Sequence, residues 1–273
     1  MDFSEPWRTL SMTLEGPVLR TLSRTTEAMT RSDILRLTPN TSEAGLRKVL
    51  TRLVEQGMVI EGKVAHIYTY KANREHLMWD AVEVLITAHA RLQTRLRGFI
   101  ATWPIPPLSV MIFGSMAKGN TTTESDIDIM IIEPSPTKKT YDEDQERREQ
   151  LREKVEAWTG NHADLMVLTP YSLLEDRYRG EPVLDSDTIL IVGNPLNELL
   201  PPTAYLEAFF DEKTAGKVSE TLRRSTGTLG PGRARFAIEL RKDLDNMGDN
   251  ADPTIRALAE DIINSAPGVS EAN

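Results

Sequence analysis

The chain has 273 residues, 40% of them hydrophobic and 27% charged, with no cysteine and a formal net charge of −9. That length accommodates two domains of ordinary size. The lack of cysteine excludes a disulfide framework and a thiolate zinc site, no run approaches the roughly 20 apolar residues of a membrane span, and the acidic balance argues against a protein that coats nucleic acid without specificity. The opening Met1-Asp2-Phe3-Ser4-Glu5-Pro6 lacks the basic and apolar regions of a secretory leader, so a cytoplasmic location is the expectation. The charge is uneven, because residues 1–75 hold 11 Lys and Arg against 9 Asp and Glu. The N-terminal part is therefore the one suited to meet DNA.

Apolar residues at helical spacing predict two helices within residues 17–37, one through Val18, Leu19 and Leu22, the other through Ile34, Leu35 and Leu37. Ser32 is the expected N-cap of the second. A third helix is predicted over residues 42–57, with Leu46, Val49, Leu50, Leu53 and Val54 as its apolar stripe and Gly57 as its stop. Met58-Val59-Ile60 and His66-Ile67-Tyr68-Thr69-Tyr70 then read as two strands around a turn at Glu61-Gly62-Lys63. Three helices followed by a hairpin resemble a winged helix-turn-helix domain, as in small bacterial transcription regulators. The resemblance implies that the third helix enters a major groove. Ser42, Arg47, Lys48 and Arg52 on that helix, and Lys63 on the wing, are then the DNA-contacting candidates, since Arg and Lys suit phosphates and guanine edges. The alternative is an ordinary solvated helix face.

One long helix is predicted over residues 74–102, as a linker or as a surface for a second copy of the chain. Trp103-Pro104-Ile105-Pro106-Pro107 ends it. A buried strand, Val110-Met111-Ile112-Phe113, then stops abruptly at Gly114-Ser115. After ten further residues comes Asp126-Ile127-Asp128, entering a second apolar run, Ile129-Met130-Ile131-Ile132. Residues i and i+2 of a strand share a face, so Asp126 and Asp128 present two carboxylates together. Two close carboxylates are costly unless a cation lies between them. Oxygen ligands of this kind suit Mg²⁺ together with substrate phosphates. Gly114 lets backbone N–H groups approach a phosphate.

Gly114-Ser115, ten residues, then Asp126-x-Asp128 resembles the signature of the DNA polymerase β-like nucleotidyltransferase superfamily, closest to its small minimal members, over roughly residues 108–195. The resemblance implies that the Gly-Ser turn holds a nucleoside triphosphate, ATP or another NTP, with Lys118 near the phosphates. It implies that Asp126 and Asp128 bind two Mg²⁺ ions, and that Asp164, at the start of the strand His162-Ala163-Asp164-Leu165-Met166-Val167-Leu168, is the third carboxylate. Lys118 is otherwise a solvated lysine, His162 either a nucleotide contact or a surface histidine, and Glu133 either a fourth acid or a solvated strand end.

Further elements are expected as an amphipathic helix over 140–159, a helix over 171–179, a strand over 187–193, helices within 203–266, a hinge-like loop at 227–232 and disorder after 265. Arg223, Arg224, Arg233, Arg235, Arg241 and Lys242 make a locally basic tail. The expected fold class is α+β. A winged helix-turn-helix occupies residues 1–73, a linker helix 74–103, a nucleotidyltransferase mixed sheet with helices 104–200, and a C-terminal helical region 201–273. The expected function is Mg²⁺-dependent transfer of a nucleoside monophosphate, most simply AMP, to an acceptor hydroxyl. By resemblance to antitoxin-type members, that acceptor is a partner protein, with DNA binding for autoregulation. Modification of tRNA or a small molecule remains open, as does a regulator whose second domain only senses a nucleotide.

Overall fold

A computed structural model describes residues 1–9, 15–134, 141–180, 187–200 and 231–265. They fall into two compact units, one of residues 1–94 with 121–124, the other of 95–120 with 125–273.

In the first unit, α1 (Glu15–Ser23), β1 (Met29–Thr30), α2 (Arg31–Leu37) and α3 (Glu43–Glu55) precede the hairpin of β2 (Val59–Val64) and β3 (Ile67–Ala72). The strands are antiparallel in the order β1-β3-β2. Val18, Leu22, Ile34, Leu46, Leu50 and Leu53 close a core with Met58, Val59, Tyr70 and Trp79. α3 starts where the Ser42 side chain accepts the Gly45 N–H at 3.1 Å and ends before Gly57, whose φ of 73° only glycine adopts without strain.

Three local expectations are corrected. Thr30, not Ser32, caps α2, because Thr30 still has extended backbone and its hydroxyl accepts the Asp33 N–H. The turn falls at Ala65-His66, with Ala65 at φ 54°, and Glu61-Gly62-Lys63 lies inside β2, with Gly62 opposite Thr69. The single helix expected over 74–102 is two, α4 (Trp79–Ile86) and α5 (Ala88–Ile100). Thr87 ends α4 by turning both its N–H and its hydroxyl back to the Glu83 carbonyl, the i−4 bond by which a threonine competes with the helix ladder.

The second unit is built on β4 (Ser109–Ile112), β5 (Ile127–Ile132), β6 (Ala163–Leu168) and β7 (Ile189–Gly193), in the order β6-β5-β4-β7. β5 and β6 are parallel and the other two pairs antiparallel. The parallel pair requires a crossover, which α7 (Tyr141–Thr159) supplies, with Leu151 and Val155 fully buried. α6 (Gly114–Ala117), α8 (Pro170–Arg179) and α9 (Leu196–Leu199) follow their strands. α10 (Pro231–Met247) and α11 (Pro253–Ser265) complete the described part.

The register puts Met111, Met130 and Met166 in one row and Ile132 and Leu168 in the next. This face meets Tyr171 and Leu174 of α8, Phe236, Leu240 and Leu244 of α10, and Ile255, Leu258 and Ile262 of α11 in one core. Val110, Ile112, Ile129 and Ile131 alternate to the other face and are equally buried. Each such side chain contributes about 1.5–3 kcal/mol of burial. The C-terminal helices expected from sequence therefore form part of this unit's core. Residues 201–230 and 266–273, with Arg223, Arg224, most of the loop expected at 227–232 and the disorder expected after 265, lie outside the described residues; Pro231 and Gly232, expected in that loop, instead open α10. No described helix is long and apolar enough to cross a membrane.

Candidate active site

The parallel pairing of β5 with β6 sets Asp128 directly opposite Asp164. Two residues further along the same strands, Met130 faces Met166 in the core under the C-terminal helices. The carboxylates thus occupy the N-terminal ends of both strands, on the face whose remainder the helices cover. β4 runs antiparallel to β5 and ends beside them, where the Phe113 N–H donates to the Asp128 carbonyl at 3.0 Å.

Gly114 follows at φ 67°. A Cβ built there would lie 2.0 Å from Asp128 Oδ2 and 2.9 Å from its Cγ, so backbone and carboxylate meet at a spacing that no side chain could enter. Ser115 is half-buried in the first turn of α6, and its carbonyl accepts the Asn120 N–H at 3.1 Å. Lys118 is exposed at the end of α6, its N–H returning to the Gly114 carbonyl at 3.2 Å.

Asp128 is half-buried. Burial pushes its carboxyl above the ordinary range, and the neighbouring charges of Asp164 and then Asp126 push it further. Ionised, it is therefore strained by both desolvation and repulsion, the condition that a bound cation relieves. Asp164 and Asp126 are exposed. Asp126 lies one residue before β5 rather than within it, because the ladder begins at Ile127. It is nonetheless bracketed. The Asn161 side-chain amide donates to the Ser125 carbonyl at 2.8 Å, and the Ile127 N–H donates to the His162 carbonyl at 2.9 Å. Asn161 thus braces the backbone just before Asp126. Its only signal in the sequence is a polar side chain after Gly160, and its burial became legible with the fold. Among the described residues no group of three or more His, Cys, Asp or Glu is gathered closely enough to hold a metal ion. The donor set is nevertheless of the right chemistry for Mg²⁺, since carboxylate oxygens are its usual protein ligands.

Two other options close. Glu133 is not a fourth acid at this site; it stands at the far end of β5, in a largely buried ion pair with Arg148 of α7. The basic tail is partly engaged within its own unit, because Arg235 donates to the Pro106 carbonyl at 2.7 Å and Lys242 pairs with Glu239 at 2.8 Å. His162 is exposed at the start of β6.

Of the residues expected to contact DNA, Arg47 and Lys48 are exposed on α3. Arg52 is in an ion pair with Glu15 of α1. The Ser42 oxygen is occupied by the helix cap. Lys63 lies over the Tyr68 ring, 5.3 Å from its centre.

Residues 95–186, about one third of the chain, match the family model described as "Nucleotidyltransferase domain". That stretch contains Gly114, Ser115, Lys118 and all three aspartates. No curated protein matches this chain.

Proposed function

We propose that the second unit transfers a nucleoside monophosphate, AMP most readily, from a triphosphate to an acceptor hydroxyl. The observation that carries the reading is the apposition of Gly114 with the Asp128 carboxylate, itself opposite Asp164, within a stretch that matches the nucleotidyltransferase family model. Gly114 brings the backbone N–H groups that begin α6 to the phosphates, and Ser115 adds a hydroxyl donor. Lys118 offsets triphosphate charge from the end of that turn. Asp126, Asp128 and Asp164 would hold Mg²⁺, which supplies charge neutralisation and a more acidic acceptor hydroxyl. The acceptor hydroxyl gives up its proton to water as its oxygen forms the new bond to the α-phosphorus, the bond to the bridging oxygen of the β-phosphate breaks, and pyrophosphate leaves with that electron pair. With the cation held, the three carboxylates would orient acceptor and triphosphate together, so much of the acceleration would come from positioning.

The acceptor we favour is a hydroxyl on a partner protein, with the first unit acting as a winged helix-turn-helix that returns the protein to its own operator. Support for the second half is the order of elements, two helices and a short strand leading to α3 and then the β2–β3 hairpin, with Arg47 and Lys48 free to meet phosphates. Incubation with each α-³²P-labelled NTP and Mg²⁺, against lysate protein and total RNA, tests the reading. Label in protein, strongest from ATP and absent with Asp128→Ala, supports it. Label confined to RNA moves the acceptor, and mutant-insensitive or absent label overturns the enzyme.

A further inference from the structure

β2 is the outer strand of its sheet. Residues 60–64 are all exposed, and its outward edge has no strand beside it among the described residues. Natural edge strands are short, bulged, covered or charged; β2 carries two charges of opposite sign, Glu61 and Lys63. This one has six residues in unbroken register with β3. It also carries Ile60 and Val64 on its exposed face, 52% and 67% accessible, beside Ile67 at 58%. Gly62 sits mid-strand, where a glycine weakens a sheet unless another backbone comes close.

The hydrogen-bond phase of the edge is fixed. The Asn73 N–H donates to the Met58 carbonyl at 2.9 Å, so in the alternation of an antiparallel ladder the even residues of β2 bond to β3 and Val59, Glu61 and Lys63 aim their backbone groups outward. A two-fold pairing of β2 with itself must match outward groups with outward groups, which requires an axis through a residue rather than between residues. An axis at Glu61 sets Glu61 against its own copy, and an axis at Lys63 does the same with lysine; like charges directly opposite are destabilising. An axis at Gly62 sets Glu61 opposite Lys63 twice and Ile60 opposite Val64 twice. It also puts the two glycines at the narrow pair, where backbones approach closest.

We propose that a second copy of this chain docks here, β2 against β2, antiparallel and centred on Gly62, to make a continuous sheet across the dimer. The inference stands independently of the transfer reaction. In the dimer Lys63 faces the partner's Glu61 rather than nucleic acid, and the apolar row of Ile60 and Val64 runs across the junction. Lys63 is steadied over the Tyr68 ring, so that charge is held in place before the copies meet.

The test is sedimentation velocity on the full chain at tens of micromolar. Wild type is expected to dimerise. Glu61→Lys and Lys63→Glu each put like charges at both contacts and are expected to weaken the dimer by on the order of tenfold or more. The double exchange E61K/K63E restores it. Most decisively, an equimolar mixture of the two single variants has opposite charges at both contacts and is expected to dimerise where neither does alone, which also shows that both variants fold. A wild type that stays monomeric, single variants that dimerise like wild type, or a mixture that associates no better than its components would each overturn the proposal.

Discussion

The Asp128 carboxylate fills the space that a side chain at position 114 would need, with Oδ2 2.0 Å from where a Cβ of Gly114 would stand. The relationship has a built-in control. Gly119 has a nearly equal φ, +70° against +67°, with nothing within 4 Å of its would-be Cβ. Gly119→Ala is expected to cost only the left-handed backbone penalty, about 1–2 kcal/mol, and to keep transfer activity. Gly114→Ala bears that penalty and also displaces Asp128, and is expected to lose transfer by on the order of 100-fold, as misplaced reacting groups do. Thermal melts beside initial rates separate the two effects.

Asp128 and Asp164 face each other across β5 and β6, and burial with repulsion raises the Asp128 carboxyl. Removing the Asp128 charge relieves a cost that the fold bears when no cation is present. Asp128→Asn is therefore expected to be at least as stable as wild type in chelator. Adding Mg²⁺ should raise the melting temperature of wild type by linkage and leave the variant unmoved. A variant that still responds fully to Mg²⁺ would place the cation elsewhere.

Asp243 of α10 is buried and accepts the Tyr171 N–H at 2.9 Å near the start of α8. Burial pushes its carboxyl up to about 6. A raised folded-state value means that the folded form holds its proton at pH values where the unfolded chain has lost it. Stability from this group thus falls as pH rises from about 4 to about 6 and is flat beyond. Asp243→Asn keeps an acceptor for Tyr171 and removes the charge. It is expected to be more stable than wild type at pH 7 by about 1–2 kcal/mol after allowance for screening, with no advantage below pH 4. Urea melts at pH 4, 5, 6 and 7 check the slope.

Arg47 and Lys48 project from α3 while Arg52 pairs with Glu15. If the first unit grips DNA through α3, Arg47→Ala and Lys48→Ala should each weaken binding and lower the salt slope by about 1. Arg52→Ala should change affinity less and lower the melting temperature slightly, as loss of a partly exposed pair does. Operator titrations at several salt concentrations read both quantities.

The half that holds the three aspartates was legible because its pattern is local. Short continuous apolar runs bounded by Gly, Pro or polar residues give β4, β5 and β6, and the abrupt Gly114-Ser115 after such a run marks the turn. What the sequence could not carry was pairing. That Asp164 stands opposite Asp128, rather than one strand away, follows from a parallel register set by the crossover through α7. Gly62 misled for a definite reason: Glu-Gly-Lys has turn composition, yet the hairpin turned three residues later, where Ala65 takes the positive φ. Thr30 was hidden by Ser32, a better-looking cap two residues on. Glu133, at the end of the aspartate strand, reads from sequence as a fourth acid or a solvated strand end, and is neither. Its Arg148 partner lies 15 residues away on α7, beyond the reach of any local pattern.

The most direct measurement is the initial rate of α-³²P label transfer with Mg²⁺ by wild type, Asp128→Asn, Asp164→Asn and Glu133→Gln, each first shown to be folded. Wild type is expected to transfer label, both aspartate variants to lose on the order of 100-fold or more, and Glu133→Gln, whose carboxylate serves Arg148, to change little. Transfer that survives in Asp128→Asn or Asp164→Asn would contradict the assignment of the site.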